Sequence, residues 1–373
     1  MKNFKLSTNV YFGQDSLSIL DEIQGKNVLI ICDKFIKDSG IADKVASHLT
    51  GNTVNVFADV VPDPPIEVVA EGINCLKSVG ANIIIAVGGG SSIDAAKAIR
   101  ELGTRMNVAN VEKCYAIPTT SGTGSEVTQF SVITDASKGV KYPLVLESLQ
   151  PMVAILDPDL VASVPPNITA DTGMDALTHA LEAYVSTNAN DFTDALAEKA
   201  ITLLVRFLPY AYAHGDDMEA REKVHNAACL AGMAFNMVGV GICHSIAHQI
   251  GAKFHMSHGR ANAMVLPYVV DFNAQISSEG DTKAAKKYQR VARLIGLPYS
   301  DAPLAVSSLI HKIQDMQRVY GVPPTLRSAG ISKEQFYAVK DSMIAAAMDD
   351  ICTESNPRKV CEKDFDRLLM KMF

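Results

Sequence analysis

The stretch NIIIAVGGGSSIDAAKAIRELG (Asn82–Gly103) indicates the fold of the first part of the chain. Its apolar run from Ile83 to Val87 has the length and β-branched composition of a buried strand. Three glycines follow, and apolar residues then recur at helical spacing up to Leu102. A buried strand that passes through glycine into a helix is typical of a parallel sheet covered by helices.

Strands and helices alternate on both sides of this stretch. Strand-like runs occupy Lys26–Cys32, Asn52–Phe57 and Lys113–Thr120. A helical pattern follows the first run as far as about Leu49, and another follows the second run. This alternation predicts an α/β domain with a parallel, Rossmann-like sheet and helices on both faces.

The chain beyond Pro165–Pro166 has a different pattern. Amphipathic windows of helical period follow one another to the end, with almost no β-branched strand run. We therefore predict an α/β domain over residues 1–165 and an all-helical domain over residues 166–373. Asp171 or Thr172 is expected to cap the first helix of the helical domain.

Composition and charge argue against several classes of protein. The net charge of −7 over 373 residues is opposite in sign to that of most nucleic-acid binders. The seven cysteines contain no C-x-x-C pair, which fits a reducing compartment. The chain has neither a signal-like N-terminal run nor an apolar window as long as a membrane helix. We therefore expect a soluble cytoplasmic protein that binds neither nucleic acid nor membrane.

Two glycine-containing loops come directly after predicted strands. GGGSS (Gly88–Ser92) opens a helix, and TTSGTGSEVT (Thr119–Thr128) combines hydroxyl side chains with glycine. Ile93 stands where the usual dinucleotide fingerprint needs a glycine, and no Gly-Lys-Ser/Thr follows as in a triphosphate loop. The first loop alone is equally well explained as a tight turn. Both loops together, at the carboxyl ends of strands, favour a nucleotide site.

Asp33 ends the first predicted strand and admits two interpretations. Its carboxylate could accept hydrogen bonds from the ribose of an adenosine, where its charge would disfavour a 2′-phosphate and so favour NAD over NADP. It could also be the N-cap of the helix that follows. Both interpretations remain open from the local sequence.

Four of the nine histidines lie in CHSIAHQIGAKFHMSH (Cys243–His258). His244 and His248 are four residues apart on one predicted helix, as are Asp175 and His179 on another, so each pair shares a helix face. One carboxylate with two or three imidazoles suits Fe²⁺, Zn²⁺ or Mn²⁺ with a position left for substrate. HSIAH lacks the glutamate of the zinc-protease motif, which argues against a peptidase.

Two of the four clustered histidines are expected to bind the metal. We choose His244 and His258, although spacing alone does not select them over His248 and His255. The spacing therefore predicts a metal centre without specifying its full set of ligands.

These motifs resemble, along the whole chain and in this order, those of the iron-containing alcohol dehydrogenase family. The segments that carry the resemblance include GGGSSIDAAKAI, AIPTTSGTGSEVT, TGMDALTHALEAYVS, HSIAHQIGAKFHMSHGRANAMVLP and DDICTESNPR. The resemblance implies an N-terminal dinucleotide-binding domain, a C-terminal helical domain and an active site in the cleft between them. Within the family the chain is most similar to bacterial propanol and ethanol dehydrogenases of diol or ethanolamine breakdown.

The resemblance also implies roles for individual residues, position by position. His248 would lie beside the nicotinamide and help to relay a proton, and His255 would be a bystander. The implied metal ligands are Asp175, His179, His244 and His258. The implied cofactor contacts are Asp33, Gly89, Gly90, Ser91, Thr119, Thr120, Ser121, Thr128 and Lys141.

The activity implied by the resemblance is the interconversion of short-chain aldehydes and primary alcohols with NAD(H). A metal, Fe²⁺ with Zn²⁺ as the alternative, would polarise the carbonyl while the nicotinamide transfers hydride. The rival interpretations are a diol or polyol dehydrogenase of the same superfamily, a dehydroquinate-synthase-like lyase and a catalytically inert scaffold. A homodimer or larger homo-oligomer is expected, and analogy extends to packaging in a bacterial microcompartment.

Overall fold

The computed structural model describes residues 3–135, 140–275 and 280–373. The chain folds into two compact units. One unit consists of Met1–Val164 and Gly215–Asn236, and the other of Pro165–His214 and Met237–Phe373. The division predicted from sequence, at residues 165 and 166, had assigned Gly215–Asn236 to the helical half.

The first unit contains the strands of the described chain. They are β1 (Asn9–Phe12), β2 (Asn27–Asp33), β3 (Thr53–Val60), β4 (Ile83–Gly88), β5 (Lys113–Pro118), β6 (Phe130–Asp135), β7 (Val140–Val145) and β8 (Val153–Leu156). Six of them form a parallel sheet in the order β1–β8–β5–β4–β2–β3, and β6 pairs antiparallel with β7. The predicted parallel sheet is confirmed, although β1, the hairpin of β6 and β7, and β8 were not predicted.

Helices cover the sheet and form the second unit. They are α1 (Lys34–Asp38), α2 (Ile41–Ser47), α3 (Ile66–Val79), α4 (Gly90–Arg105), α5 (Pro166–Val185), α6 (Asp191–Ala213), α7 (Met218–Val238), α8 (Ile242–Phe254), α9 (His258–Ala274), α10 (Lys283–Leu294), α11 (Ala302–Val319), α12 (Lys333–Met348) and α13 (Glu362–Met372). Helices α1 to α4 lie in the first unit, together with most of α7. The predicted helical second half is confirmed.

Both faces of the parallel sheet are apolar because helices pack on both. Along β2, Val28 and Ile30 belong to one buried cluster, whereas Leu29 and Ile31 belong to another. Helices α1 and α2 contribute to the first cluster, and α3 and α4 to the second. This explains why the strand is a continuous apolar run and not an alternating one.

The order of the strands creates a switch point between β2 and β4. The chain passes from β2 outward to β3 and then returns to the other side of β2 with β4 and β5. Asp33 ends β2 and Gly88 ends β4, so these residues flank the switch point at its carboxyl edge. Open α/β sheets bind ligands at such places.

Helix α5 begins earlier than the sequence pattern suggested. It starts at Pro166, with Pro165 as N-cap, and it continues without a break to Val185. Proline suits the first helical position because its missing N–H has no partner there in any helix. The prediction that Asp171 or Thr172 caps the helix is wrong, since both residues lie inside it.

Within the described residues, no single helix combines the length and the apolar character that a bilayer crossing requires. The consecutive helices α7 and α8 reach the required length and apolar character only when the two helices are counted as one segment.

Candidate active site

Three helices of the second unit bring four potential metal ligands together. Helix α5 carries Asp175 and His179, α8 carries His244, and α9 begins with His258. One ligand atom from each residue lies within 4.8 Å of the corresponding atom of every other. Asp175, His179 and His244 are buried, whereas the His258 side chain is 44% exposed. The cluster is therefore buried on the side of Asp175, His179 and His244 and accessible to solvent at His258.

The Asp175 carboxylate lies at the centre of this cluster. Its Oδ1 atom is 3.5 Å from Nε2 of His258 and 3.8 Å from Nε2 of His244, and its Oδ2 atom is 4.0 Å from Nδ1 of His179. These separations exceed ordinary hydrogen-bond lengths. Two ligand atoms that each lie about 2.1 Å from a tetrahedral ion are roughly 3.4 Å apart. The spacing therefore resembles that of ligands around a common ion.

His244 is oriented by a carboxylate that the sequence analysis did not identify. Its Nδ1–H donates to Oε2 of Glu182 at 2.6 Å, and Oε1 of Glu182 accepts from the backbone N–H of Cys243 at 2.7 Å. Among the described residues, Nε2 of His244 has no hydrogen-bond partner, although it is buried. A carboxylate behind an imidazole, with the other nitrogen presented to the site, is the usual arrangement of a metal-binding histidine.

The protonation states of the cluster favour a cation. Burial raises the pKa of Asp175, but His179, His258 and a hydrogen bond from Asn262 outweigh it and hold the pKa below its usual range. Burial lowers the pKa of His244 well below its ordinary value, and His179 and His258 lower it further. Asn262 donates to Oδ1 of Asp175 at 2.8 Å. An ionised carboxylate beside a neutral imidazole is the state in which both groups bind metal.

The donor set fits a divalent ion on two independent grounds. A buried imidazole nitrogen without a partner is costly unless something binds it. One carboxylate oxygen and three imidazole nitrogens also match the ligand preferences of iron and zinc. Of the four histidines between Cys243 and His258, it is His244 and His258 that converge with Asp175 and His179.

His248 lies beside this cluster and not in its ligand set. Its ring stacks on that of His258, with centroids 5.3 Å apart. Its Nδ1–H donates to Oδ2 of Asp350 at 2.7 Å, and Oδ1 of Asp350 accepts from the backbone N–H of Cys352 at 2.9 Å. His255 ends α8 in the left-handed conformation (φ 56°) with an exposed side chain. His255 is not part of the group of four potential ligands.

The glycine loop and Asp33 meet in the first unit. Gly88 has a φ of +147°, a value that side-chain-bearing residues rarely adopt, and its ideal Cβ position is 3.7 Å from Oδ2 of Asp33. Oδ1 of Asp33 accepts from the backbone N–H of Ile36 at 2.9 Å and so caps α1. The capping interpretation is therefore confirmed. The second oxygen stays beside the glycine loop, so capping and ribose binding are compatible.

The second polar loop lies against the first. Gly88 is paired with Pro118 across β4 and β5, and the backbone N–H of Thr119 donates to the Gly88 carbonyl at 3.0 Å. An ideal Cβ on Gly89 would be 3.5 Å from Oγ1 of Thr120, and one on Gly90 would be 2.9 Å from Cγ2 of Thr123. The two loops thus form one surface at the N-terminus of α4. Backbone N–H groups there suit phosphate oxygens.

The remaining expected cofactor residues lie in different environments. Oγ of Ser91 accepts from the backbone N–H of Asp63 at 3.3 Å. Oγ of Ser121 is 2.9 Å from Nδ1 of His225. Thr128 is 2% exposed, and its hydroxyl receives a hydrogen bond from Lys97. The side chain of Lys141 lies outside the described residues.

A buried lysine holds the second loop and was not anticipated from the sequence. Nζ of Lys97 donates to Oγ of Ser125 at 2.8 Å, to Thr128 at 3.2 Å and to the Phe130 carbonyl at 2.8 Å. Burial lowers the pKa of Lys97 to about 8 even though Asp94, with Oδ1 3.9 Å away, raises it. Because Thr128 is buried in this network, its side chain supports the loop from the protein interior.

Two protein-family models match the chain. The family described as iron-containing alcohol dehydrogenase matches residues 7–158, and the C-terminal part of the Fe-containing alcohol dehydrogenase family matches residues 169–373. Together these matches span nearly the whole chain.

Individual relatives and a solved structure cover the full length. The chain is 45% identical over 375 residues to 1-propanol dehydrogenase PduQ of Citrobacter freundii, with 100% of each chain covered. It is 40% identical to an NADPH-dependent butanol dehydrogenase of Clostridium saccharobutylicum, covering 99% of this chain and 97% of the relative. A crystal structure of a 1,3-propanediol oxidoreductase superimposes with a TM-score of 0.91 at 33% identity, with 100% of both chains covered.

The fold, the cluster and these relatives define an enzyme of the alcohol dehydrogenase class, which interconverts alcohols and carbonyl compounds by oxidation and reduction. The chain belongs to the iron-containing alcohol dehydrogenase family. The resemblance read from the sequence is thereby confirmed.

Proposed function

We propose that this enzyme interconverts short-chain aldehydes and primary alcohols with NAD(H) at a divalent iron centre. The observation that carries the proposal is the convergence of Asp175, His179, His244 and His258 within 4.8 Å. A bound divalent ion would supply Lewis-acid polarisation of the carbonyl oxygen, and a nicotinamide would supply or accept the hydride. The family supports iron, while the same ligand set also accommodates zinc.

The chain's own residues prepare this centre for a cation. Asp175 supplies a fixed negative charge, and Asn262 holds its Oδ1 atom in place. Glu182 keeps the proton of His244 on Nδ1, so that Nε2 presents its lone pair. Three neutral imidazoles and the single Asp175 carboxylate would only partly balance the ion's charge, which would leave the ion electrophilic.

We assign His248 to proton movement. Asp350 accepts from Nδ1 and thereby keeps Nε2 as the nitrogen that can take or release a proton. The partly exposed side chain of His248 gives such a proton access to solvent. This role rests on the family resemblance and on the proximity of His248 to His258.

The dinucleotide is assigned to the first unit. The switch point between β2 and β4, the N-terminus of α4 and the loop from Thr119 support binding of its phosphates and ribose. Oδ2 of Asp33 supports NAD over NADP because it would repel a 2′-phosphate. Lys141 is retained as a cofactor contact through the resemblance alone.

The substrate is assigned to the small, uncharged aldehydes. Arg260 follows His258 by two residues, and its guanidinium donates to Oδ1 of Asp171 at 3.3 Å and to the Gly321 carbonyl. Its charge is therefore committed within the protein, which disfavours an anionic substrate of the dehydroquinate type. The relatives named for 1-propanol and butanol support an aliphatic substrate. Similarity to the 1,3-propanediol oxidoreductase makes diols the second candidate class of substrate.

The enzyme is assigned to the cytoplasm and to a homo-oligomeric assembly. All seven cysteines are free, which supports a reducing cytoplasm, with a bacterial microcompartment as the alternative by analogy. We further propose a homodimer or larger homo-oligomer, because the family resemblance implies one. Light scattering on the purified enzyme tests the assembly.

The function is tested with enzyme purified under anaerobic conditions. Elemental analysis should find iron, and NADH absorbance should fall on addition of acetaldehyde, propionaldehyde or butyraldehyde. The same panel includes lactaldehyde and 3-hydroxypropionaldehyde, whose reduction gives diols. Greater kcat/KM for the hydroxyaldehydes would replace the proposed substrate class, and no NADH oxidation with any aldehyde by metal-loaded enzyme would overturn the function.

A further inference from the structure

Ser121, one of the expected cofactor contacts, is hydrogen-bonded to a buried histidine of helix α7. Oγ of Ser121 lies 2.9 Å from Nδ1 of His225. His225 is 2% exposed, whereas Ser121 is only partly buried. A residue at the surface of the loop is thus held by an imidazole in the interior of the first unit.

The environment of His225 indicates which of its nitrogens carries the proton. Among the described residues, Nε2 of His225 is buried and has no hydrogen-bond partner. Burial lowers the pKa of His225 to about 4, so the ring is neutral near pH 7 and carries a single N–H. Buried N–H groups without a partner are rarer than buried acceptors without one. The proton therefore belongs on Nδ1, where it is hydrogen-bonded.

This protonation state determines what the Ser121 hydroxyl can do. Nδ1–H of His225 donates, and Oγ of Ser121 accepts. The hydroxyl hydrogen of Ser121 then points to some other acceptor. A phosphate oxygen can only accept hydrogen bonds, so it requires this orientation, whereas a ribose hydroxyl could adapt to either one.

We propose that His225 is a positioning residue for the dinucleotide, which turns the Ser121 hydroxyl into a donor directed at a phosphate oxygen of the cofactor. The proposal rests on the proposed NAD site and assigns it a supporting residue. Without His225 the hydroxyl rotates freely, and part of its contribution to cofactor binding is lost. The imidazole itself does not touch the cofactor.

The test uses NADH binding to the full-length, metal-loaded enzyme, measured by calorimetry. The variants are Ser121→Ala, His225→Phe, the double variant and His225→Asn, whose amide nitrogen can occupy a place close to Nδ1. Val224→Ala is the matched control, because Val224 is the buried neighbour of His225 on α7. Melting temperature and metal content are measured on every variant.

We expect Ser121→Ala to weaken NADH binding by about tenfold, the order expected for one hydrogen bond to a charged group. His225→Phe should weaken it by a smaller factor, about fivefold, because the Ser121 hydroxyl remains but is no longer oriented. The double variant should bind no more weakly than Ser121→Ala, because His225 acts only through the Ser121 hydroxyl. His225→Asn should stay within about threefold of the wild type. KM for NADH should rise while KM for propionaldehyde is unchanged, and Val224→Ala should lower only the melting temperature.

Three results would overturn the inference while leaving the proposed function intact. The first is wild-type NADH affinity in His225→Phe, and the second is an equal loss of affinity in Val224→Ala. The third is a multiplicative loss in the double variant, which would show that the two residues act independently. Failure of the wild-type enzyme to bind NADH at all would overturn the proposed function and this inference together.

Discussion

Gly259 lies so close to Asp171 that no side chain fits between the two residues. A Cβ atom on Gly259 would be 2.1 Å from the Asp171 carbonyl oxygen and 3.2 Å from Cβ of Asp175. Gly259 follows His258 at the start of α9, and Asp171 precedes Asp175 by one turn of α5. This close approach lets α9 bring His258 to within 3.5 Å of the Asp175 carboxylate.

Gly259→Ala is therefore expected to damage the metal centre more than the fold. The methyl group should push α9 away from α5, with a cost of about 1–3 kcal/mol in the free energy of unfolding. We expect metal content to fall at least tenfold, as measured by elemental analysis of protein purified without oxygen. Gly251→Ala is the control, because its Cβ would be 3.3 Å from the Met256 carbonyl oxygen and needs only a small adjustment. Full metal content in Gly259→Ala would contradict the packing argument.

Glu182→Gln tests the orientation of His244. The amide retains the shape of the carboxylate, but with its oxygen bound to the Cys243 N–H its nitrogen cannot accept from Nδ1–H of His244, so metal affinity should fall about 10- to 100-fold. Titration of Fe²⁺ against a chelator under anaerobic conditions measures this change. Glu198→Gln is the control, because Glu198 accepts from the Tyr184 hydroxyl instead of from a histidine of the cluster. Equal affinities in both variants would show that Glu182 has no special role.

Asp33→Asn separates the two roles of Asp33. Asparagine caps helices as well as aspartate does, so the melting temperature should stay unchanged. Loss of the negative charge should raise kcat/KM with NADPH by roughly tenfold, equivalent to about 1.4 kcal/mol. Steady-state kinetics with NADH and NADPH measures the ratio. An unchanged ratio in Asp33→Asn and in Asp33→Gly would reject a contact between Asp33 and the ribose.

His225 is expected to make the stability of the first unit depend on pH. Burial lowers its pKa from 6.5 to about 4. The unfolded chain therefore binds a proton more readily than the folded chain between these values, and stability falls as pH drops from 6.5 towards 4. The stability advantage of the wild type over His225→Phe should shrink by about 2–3 kcal/mol between pH 7 and pH 4.5. Urea unfolding of both proteins at the two pH values measures this difference in the free energy of unfolding. The same difference at both pH values would contradict the prediction.

The parallel sheet and the metal cluster could be predicted because their signals are local. A buried strand has to be continuously apolar when helices cover both faces, and Asp175 and His179 share a helix face at a spacing of four residues. Glu182 could have been found by the same rule, since it follows His179 by three residues on the same helix. The start of α5 was missed because Pro165–Pro166 was interpreted as a boundary and not as the first turn of a helix.

Other parts of the site have no local signal. Asp350 is 102 residues from His248 in the chain, and His225 is 104 residues from Ser121. Only the tertiary fold brings these partners together. The burial of Lys97 beneath the second loop was equally hidden, because a lysine on a helical stretch normally indicates a solvated position.

The metal content of Asp175→Ala tests the central claim most directly. Asp171→Asn, one turn earlier on the same helix, is the matched control because it retains its shape and can still accept from Ser257. Wild type and control should hold about one divalent ion per chain, whereas Asp175→Ala should hold almost none and lose roughly a hundredfold or more in aldehyde reduction, with NADH binding retained. Full metal content in Asp175→Ala, or full turnover by enzyme without metal, would contradict the account.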